Sequence, residues 1–260
     1  MDKSSIAILT TVINFKLYEI TSNFFPKGIR KYVIDGRNGM HGIHSLFYMF
    51  KKLKKRNIDW LILADEDVIF TKPDIVFKII NKMKNDNICV SGIRDGGVIW
   101  HRCHNPITVN TFFTIINFKE ISKIWNINEI KKNQYILPNE FKVSKGYLNE
   151  FYDMNSLSEP YYCFFLWLKR KKKIFFYLDA EIMDDNISNN IIFNNEVFAY
   201  HTWYARGYGV IDKHTNRIND FFSKLELKIS GMDSNLDVVV FKDSFFYFKM
   251  KVKKSIKNLF

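Results

Sequence analysis

Residues 59–70 read DWLILADEDVIF: an apolar run from Trp60 to Ala64 stops at Asp65, Glu66 and Asp67, and apolar residues resume at Val68, Ile69 and Phe70. Such a run reads as a strand buried on both faces, the kind that parallel sheets contain. Three carboxylates at its end are costly to bury unless they are paired or hold a cation. Side chains alternate along an extended segment, so Asp65 and Asp67 point the same way. Two carboxylates on one side at the carboxyl edge of a parallel sheet suit a hard divalent cation, Mn2+ or Mg2+, completed by phosphate oxygens. Ligands of open α/β sheets bind at that edge. The competing reading is a solvated strand-to-loop turn, because Asp-x-Asp alone is a short pattern.

The residues around this strand supply its context. Residues 5–13 and KYVID at 31–35 read as strands, and the second is followed by the turn Gly36-Arg37-Asn38-Gly39. From about His41 to Lys55 apolar residues recur at helical spacing, with Ile43, Phe47, Phe50 and Leu53 on one face and lysines at the C-terminal end. A helix from Lys72-Pro73 to Lys84, strands at 88–93 and 111–118, and a helix after Glu159-Pro160 follow. Strands at 173–178 and 197–201 come later, and 119–155 reads as mixed. Strand alternating with helix defines an open α/β nucleotide-binding layer.

With 260 residues, 47% hydrophobic and 17% aromatic, the chain can bury a sizeable core. A net charge of +12 favours anionic partners: phosphorylated substrates, an acidic membrane surface or nucleic acid. Cys89, Cys103 and Cys163 are odd in number and lack paired spacing, which argues against a disulfide framework and fits a reducing cytosol. His101, Cys103, His104 and distant Cys89 lack the spacing of a zinc site. The first residues read as a strand rather than a signal peptide, and no apolar run is long enough to span a membrane, so the expected location is cytoplasmic.

The order of these pieces resembles a bacterial glycosyltransferase of the GT-A fold, of the polysaccharide-biosynthesis type. The residues that carry the resemblance are Asp65-Glu66-Asp67, Glu159 in SLSEPYYCFFLWL and His201 in FAYHTWYAR. It extends over most of residues 5–206 and is absent from the tail. It implies an open nucleotide-binding sheet with flanking helices and a variable acceptor half. The donor half would be about 1–118 and the acceptor half about 119–240 of one catalytic domain. It also implies that Asp67 and His201 contact a metal, and that Asp65 contacts the metal, the ribose or the donor sugar. A divalent cation neutralises the charge that develops on a departing nucleoside diphosphate, and an imidazole nitrogen suits Mn2+ better than Mg2+.

By the same resemblance, an acidic residue heading a helix acts as the base of an inverting transfer, which assigns Glu159; Asp153 is the reserve. The family's usual pair of adjacent acids is missing, since Ser158 precedes Glu159. Glu159 equally reads as a carboxylate complementing a helix dipole. Thr10, Thr11, Asp35, Arg37 and Ser45 lie where a nucleotide would meet the first two strands, and each also reads as a turn or surface residue. Arg94-Asp95-Gly96-Gly97 offers Asp95 to donor-sugar hydroxyls and glycines that let backbone approach a sugar; a surface hairpin is the alternative. Trp203, Tyr204 and Arg206 offer stacking faces and a phosphate clamp, or loop packing.

The tail, 241–260, spaces Phe241, Phe245, Phe248, Val252, Ile256 and Leu259 by three or four among lysines. This is the pattern of a basic amphipathic helix suited to peripheral contact with an anionic membrane, to its own domain, or to a homodimer partner. The leading function is metal-dependent transfer of a sugar from a nucleotide-sugar donor to a hydroxyl of a cell-surface polysaccharide or lipid-linked glycan. A sugar-phosphate nucleotidyltransferase would need a Gly-rich phosphate loop after the first strand, and ILTTVINFK lacks one. A basic nucleic-acid-binding protein is disfavoured, because the acidic strand end repels a phosphate backbone.

Overall fold

The run 60–64 is a strand with every residue buried, and alternate side chains feed two separate cores. Leu61 and Leu63 join one apolar cluster, and Trp60, Ile62 and Ala64 join another. The computed structural model describes residues 2–102, 104–143, 151–225 and 238–257. Its elements are β1 (Ile6–Val12), α1 (Phe15–Thr21), β2 (Arg30–Asp35), α2 (Ile43–Leu53), β3 (Trp60–Ala64), β4 (Val68–Phe70), α3 (Ile75–Asn85), β5 (Ile88–Arg94), β6 (Val109–Asn117), α4 (Phe118–Ile124), α5 (Ile127–Lys131), α6 (Tyr162–Arg170), β7 (Ile174–Ile182), β8 (Asn189–Phe193), β9 (Glu196–His201), α7 (Asp212–Lys224), β10 (Val238–Phe241) and α8 (Phe246–Lys257).

The strands form one sheet in the order β10-β2-β1-β3-β6-β5-β7-β8-β9-β4. β10, β2, β1 and β3 are parallel. β6 then runs antiparallel between β3 and β5, so the sheet is mixed rather than wholly parallel. β7 is parallel to β5, and β8, β9 and β4 continue as antiparallel neighbours. Helices cover both faces. The chain is thus α/β, an open sheet with flanking helices and a basic helical tail.

α2 lies on the face that Leu61 and Leu63 share. Its fully buried stripe is Leu46, Met49, Phe50 and Leu53, at spacings of three and four. Ile43 and Phe47, expected on the same face, sit at its edge and are only partly buried. α7 was not foreseen. Its sequence, DKHTNRINDFFSK, is polar apart from Ile218, Phe221 and Phe222, and those three are the buried residues that fix it to Leu17 and Ile69. β8 also escaped prediction, because NNIIF between asparagines carries too little periodicity. The tail expected as one helix from Phe241 does not form as such: Phe241 ends β10, an edge strand parallel to β2, and the helix starts at Phe246, so Phe241 and Phe245 precede it. Leu259 lies outside the described residues, as does the side chain of Ile256. Among the described residues no helix is long and apolar enough to cross a membrane.

Phe50 is wholly buried and stacks on Phe118 and Trp125, joining α2 to α4 and the segment after it. Phe50→Ala is expected to cost about 3–5 kcal/mol, the usual range for deleting a buried aromatic ring. Urea unfolding should show a lower midpoint with an unchanged slope.

Candidate active site

The carboxylates after β3 do not lie on an extended strand. Asp65 N–H donates to the Phe112 carbonyl (2.9 Å) and Val68 N–H closes a turn onto the Asp65 carbonyl (3.2 Å). Asp65 and Asp67 still share a side, and the turn is the reason. Glu66 is directed elsewhere: its Oε1 accepts the N–H groups of Ile13 (3.0 Å) and Asn14 (3.1 Å), just past β1. The Thr21 hydroxyl donates to the Glu66 carbonyl at 2.8 Å.

His201 arrives by strand pairing. In the β4–β9 register Val68 lies opposite His201, and Thr202 N–H donates to the Asp67 carbonyl at 3.1 Å. His201 Nε2 is 3.1 Å from Asp67 Oδ1. The ring stacks on Phe112 with centroids 4.0 Å apart and leans on Trp203 at 4.3 Å. Its Nδ1 is buried without a hydrogen-bond partner. One ligand atom each from Asp65, Asp67 and His201 falls within a 4.8 Å span. Among the described residues this is the only such group of three.

Burial and the neighbouring acids strain this cluster. Burial, then Asp67 and Glu66, push the Asp65 carboxyl well above the ordinary range, against the opposing charges of Arg206 and Arg102. Burial, then Asp67, raises Glu66 to about 7. A divalent cation would remove the repulsion between Asp65 and Asp67. Two carboxylate oxygens with one imidazole nitrogen make a donor set that suits Mn2+ and other borderline cations.

The cluster forms part of the wall of a cavity of about 660 Å3 at the carboxyl ends of β1 and β3. Thr11, Ser45, Asp65, Asp67, Glu159 and His201 all line it. Ser45 Oγ donates to the Gly42 carbonyl (2.9 Å) at the start of α2. Glu159 is half-buried, with Arg102 Nη2 3.9 Å from its Oε1. Burial, then Asp95, raises its carboxyl. The segment after His201 folds across the same space. Trp203 and Tyr204 both hold positive φ, 58° and 59°, a rare state for bulky residues. Trp203 Nε1 donating to Asn189 Oδ1 (2.8 Å), Arg217 donating to the carbonyls of residues 202 and 203, and Tyr204 stacking on His214 hold them there.

Other expected residues lie elsewhere. Thr10 is buried with an unpartnered hydroxyl and does not line the cavity. Asp35 and Arg37 pair with each other through two bonds of 2.9 and 2.7 Å, with the guanidinium over Phe15, so neither lines the cavity. Asp153 is exposed and caps a local turn through Asn155 N–H. Asp95 is buried and does not line the cavity. It accepts from Asn110 Nδ2 (2.9 Å), Tyr161 OH (2.7 Å) and Tyr162 OH. It therefore fixes the residues next to Glu159. Gly97 (φ 60°) packs so closely on Asn189 that an added Cβ would lie 2.6 Å from its Oδ1, which accounts for this glycine without any sugar. Cys89 and Cys163 are free and buried; Cys103 lies outside the described residues. The roles of Glu66, Phe112 and Asn189 left no signal in the sequence, since each depends on contacts between distant segments.

No protein-family model matches the chain, and no curated protein matches it by sequence. Among solved structures it is similar to a glycosyltransferase involved in glycosylation of the major capsid of PBCV-1, at 13% identity and TM-score 0.46, over 84% of this chain and 98% of that one. Mouse xyloside xylosyltransferase 1, apo form, matches at 7% identity and TM-score 0.41, over 69% and 86%. The mannosyltransferase PcManGT from Pyrobaculum calidifontis, in complex with GDP-Man and Mn2+, matches at 8% identity and TM-score 0.36; this chain spans 47% of its length and is itself covered over 48%. Scores this low decide nothing about the chemistry of this chain, which rests on the side chains above.

Asp95→Ala would strand two buried hydroxyls, of Tyr161 and Tyr162, and the half-buried Asn110 amide, and is expected to cost about 3 kcal/mol. Burial, more than any neighbour, raises the Asp95 carboxyl, so the folded state holds its proton more tightly than the unfolded chain. Its contribution to stability is full below the unfolded value and is lost as pH rises through the folded one. The stability of wild type relative to Asp95→Asn should therefore fall with rising pH, as measured by chemical unfolding.

Proposed function

We propose that this chain is a metal-dependent glycosyltransferase, moving a sugar from a nucleotide-sugar donor to a hydroxyl of a cell-surface polysaccharide or lipid-linked glycan with inversion. The observation that carries the reading is the Asp65–Asp67–His201 group on a cavity at the carboxyl ends of the strands, with Glu159 on the wall of the same cavity. A cation held by these three residues would neutralise the diphosphate as it leaves. Mn2+ fits the imidazole better than Mg2+ does.

The chain's own residues divide the remaining work. Phe112 and Trp203 hold the imidazole in plane beside Asp67. Arg102 and Arg206 set positive charge on the cavity wall, where the developing phosphate charge needs it. Glu159 accepts the proton of the acceptor hydroxyl as that oxygen bonds to the anomeric carbon. The bond from that carbon to phosphate breaks, and its electron pair leaves with the nucleoside diphosphate. Burial makes Glu159 a stronger base than a solvated carboxylate. Asp95, through Tyr161 and Tyr162, keeps the start of α6 in place beside it.

Purified protein should hydrolyse or transfer one donor of a nucleotide-sugar panel when Mn2+ is present, and excess chelator should abolish turnover. Release of pyrophosphate from a nucleoside triphosphate and a sugar phosphate would instead mark a nucleotidyltransferase. Asp67→Asn should keep the melting temperature of the metal-free protein while losing nearly all turnover and the thermal shift with Mn2+.

Glu159→Gln should lower transfer by about 10²-fold or more with little change in donor affinity. The base must be deprotonated, so wild-type kcat/KM should fall as pH drops through a range above that of ordinary carboxylates. The Gln variant should lack that limb. A product of retained anomeric configuration, read by NMR, would remove Glu159 from the role of base.

A further inference from the structure

α8 is a helix in need of a partner. Twelve residues are too few for a stable helix alone in water, and little of its length is packed. Phe246 is its main tie to the core: it meets the His44 ring at 5.3 Å and packs beside α2. Asp243 secures the entry, accepting Asn38 Nδ2 on its carbonyl and Lys249 Nζ on its carboxylate. Phe245, Tyr247 and Phe248 remain 69%, 57% and 66% exposed, and Val252 is exposed as well. Phe245, Phe248 and Val252 recur at helical spacing and share a face. From Ser244 to Phe260 the sequence has five lysines and no acidic residue.

A second basic run, distant in sequence, lies against the same place. Lys51, Lys52, Lys54, Lys55 and Arg56 at the end of α2 are all exposed. Lys52 and Arg56 stand 5.7 and 5.5 Å from the Phe241 ring, where β10 ends and the chain turns towards α8. A groove of about 370 Å3, lined by Phe47, Tyr48, Trp125 and Phe246 together with Lys51 and Lys54, joins the two. Exposed aromatic rings among lysines, with Asp243 the one carboxylate on the groove and already paired with Lys249, match the boundary between acyl chains and anionic headgroups: the rings enter, and the ammonium groups stay with the phosphates. Nucleic acid would satisfy the lysines but leave Phe245 and Phe248 in water, and a second copy of this chain would set lysines against lysines.

We infer that α8 and the basic end of α2 form one docking surface for an anionic lipid bilayer. The inference rests on this surface alone and stands or falls separately from the transferase reading. The test uses the full chain and vesicles of phosphatidylcholine, with or without about one-quarter phosphatidylglycerol. The protein should sediment with the anionic vesicles at low salt, be released by high salt, and ignore the neutral ones. Replacing Lys251, Lys253 and Lys254 by Gln should weaken binding about 10²-fold, each lysine near an anionic surface being worth about fivefold. Phe245→Ser with Phe248→Ser should abolish binding at an unchanged melting temperature, since neither ring is packed in the core. Three results would overturn the inference: equal binding to both vesicle types, tighter binding to an oligonucleotide than to anionic vesicles, or a dimer in solution that the Phe245/Phe248 variant dissolves.

Discussion

Everything at the candidate active site depends on a three-residue strand finding the right neighbour. β4 pairs with β9, and Val68 opposite His201 brings together residues 135 apart, from Asp67 to Thr202. Two buried carboxylates and a third beside them oppose that assembly. The turn withstands this because other segments hold it: the N–H groups of Ile13 and Asn14 take up the Glu66 carboxylate, and the Thr21 hydroxyl holds the Glu66 carbonyl. A one-residue slip of β9 would turn His201 to the opposite face of the sheet.

The centre of the fold was legible in the sequence, and so were the three residues, Asp65, Asp67 and His201, that the fold brings together. The run WLILA suits burial on two faces, so strand β3 and its acidic end were legible from the order of residues alone. His201 was legible as the end of an apolar strand and the start of an aromatic loop. The direction of β6 was not, because an apolar strand reads the same run either way. α7 and β8 were hidden because their stability comes from a few residues docking on distant partners: Ile218 and Phe221 in one case, Ile191 in the other. The residues assigned to the nucleotide from turn position alone fared unevenly. Thr11 and Ser45 line the cavity, whereas Asp35 and Arg37 satisfy each other, since a carboxylate and a guanidinium two residues apart can close a bidentate pair.

Charge is divided between inside and outside. The acids at the end of β3 concentrate negative charge in a recess, and the lysines that give the chain its net charge of +12 spread over helix ends and the tail. A phosphorylated ligand is attracted by the protein as a whole but repelled by the recess. A cation held by Asp65, Asp67 and His201, as proposed above, would reconcile the two, with selectivity at the recess and capture at the surface.

β10 pairs with β2 through Val238–Phe241 against Lys31–Ile34, joining the last strand of the chain to one of the first. The residues of every other described strand are therefore made before the edge of β2 can be covered. During that interval β2 presents a row of unsatisfied backbone groups to neighbouring nascent chains. A premature stop shortly before residue 238 would leave the cavity residues in place and make that bare edge permanent. Covering the β2 edge is a contribution of β10 that is separate from the cavity, which none of its residues lines.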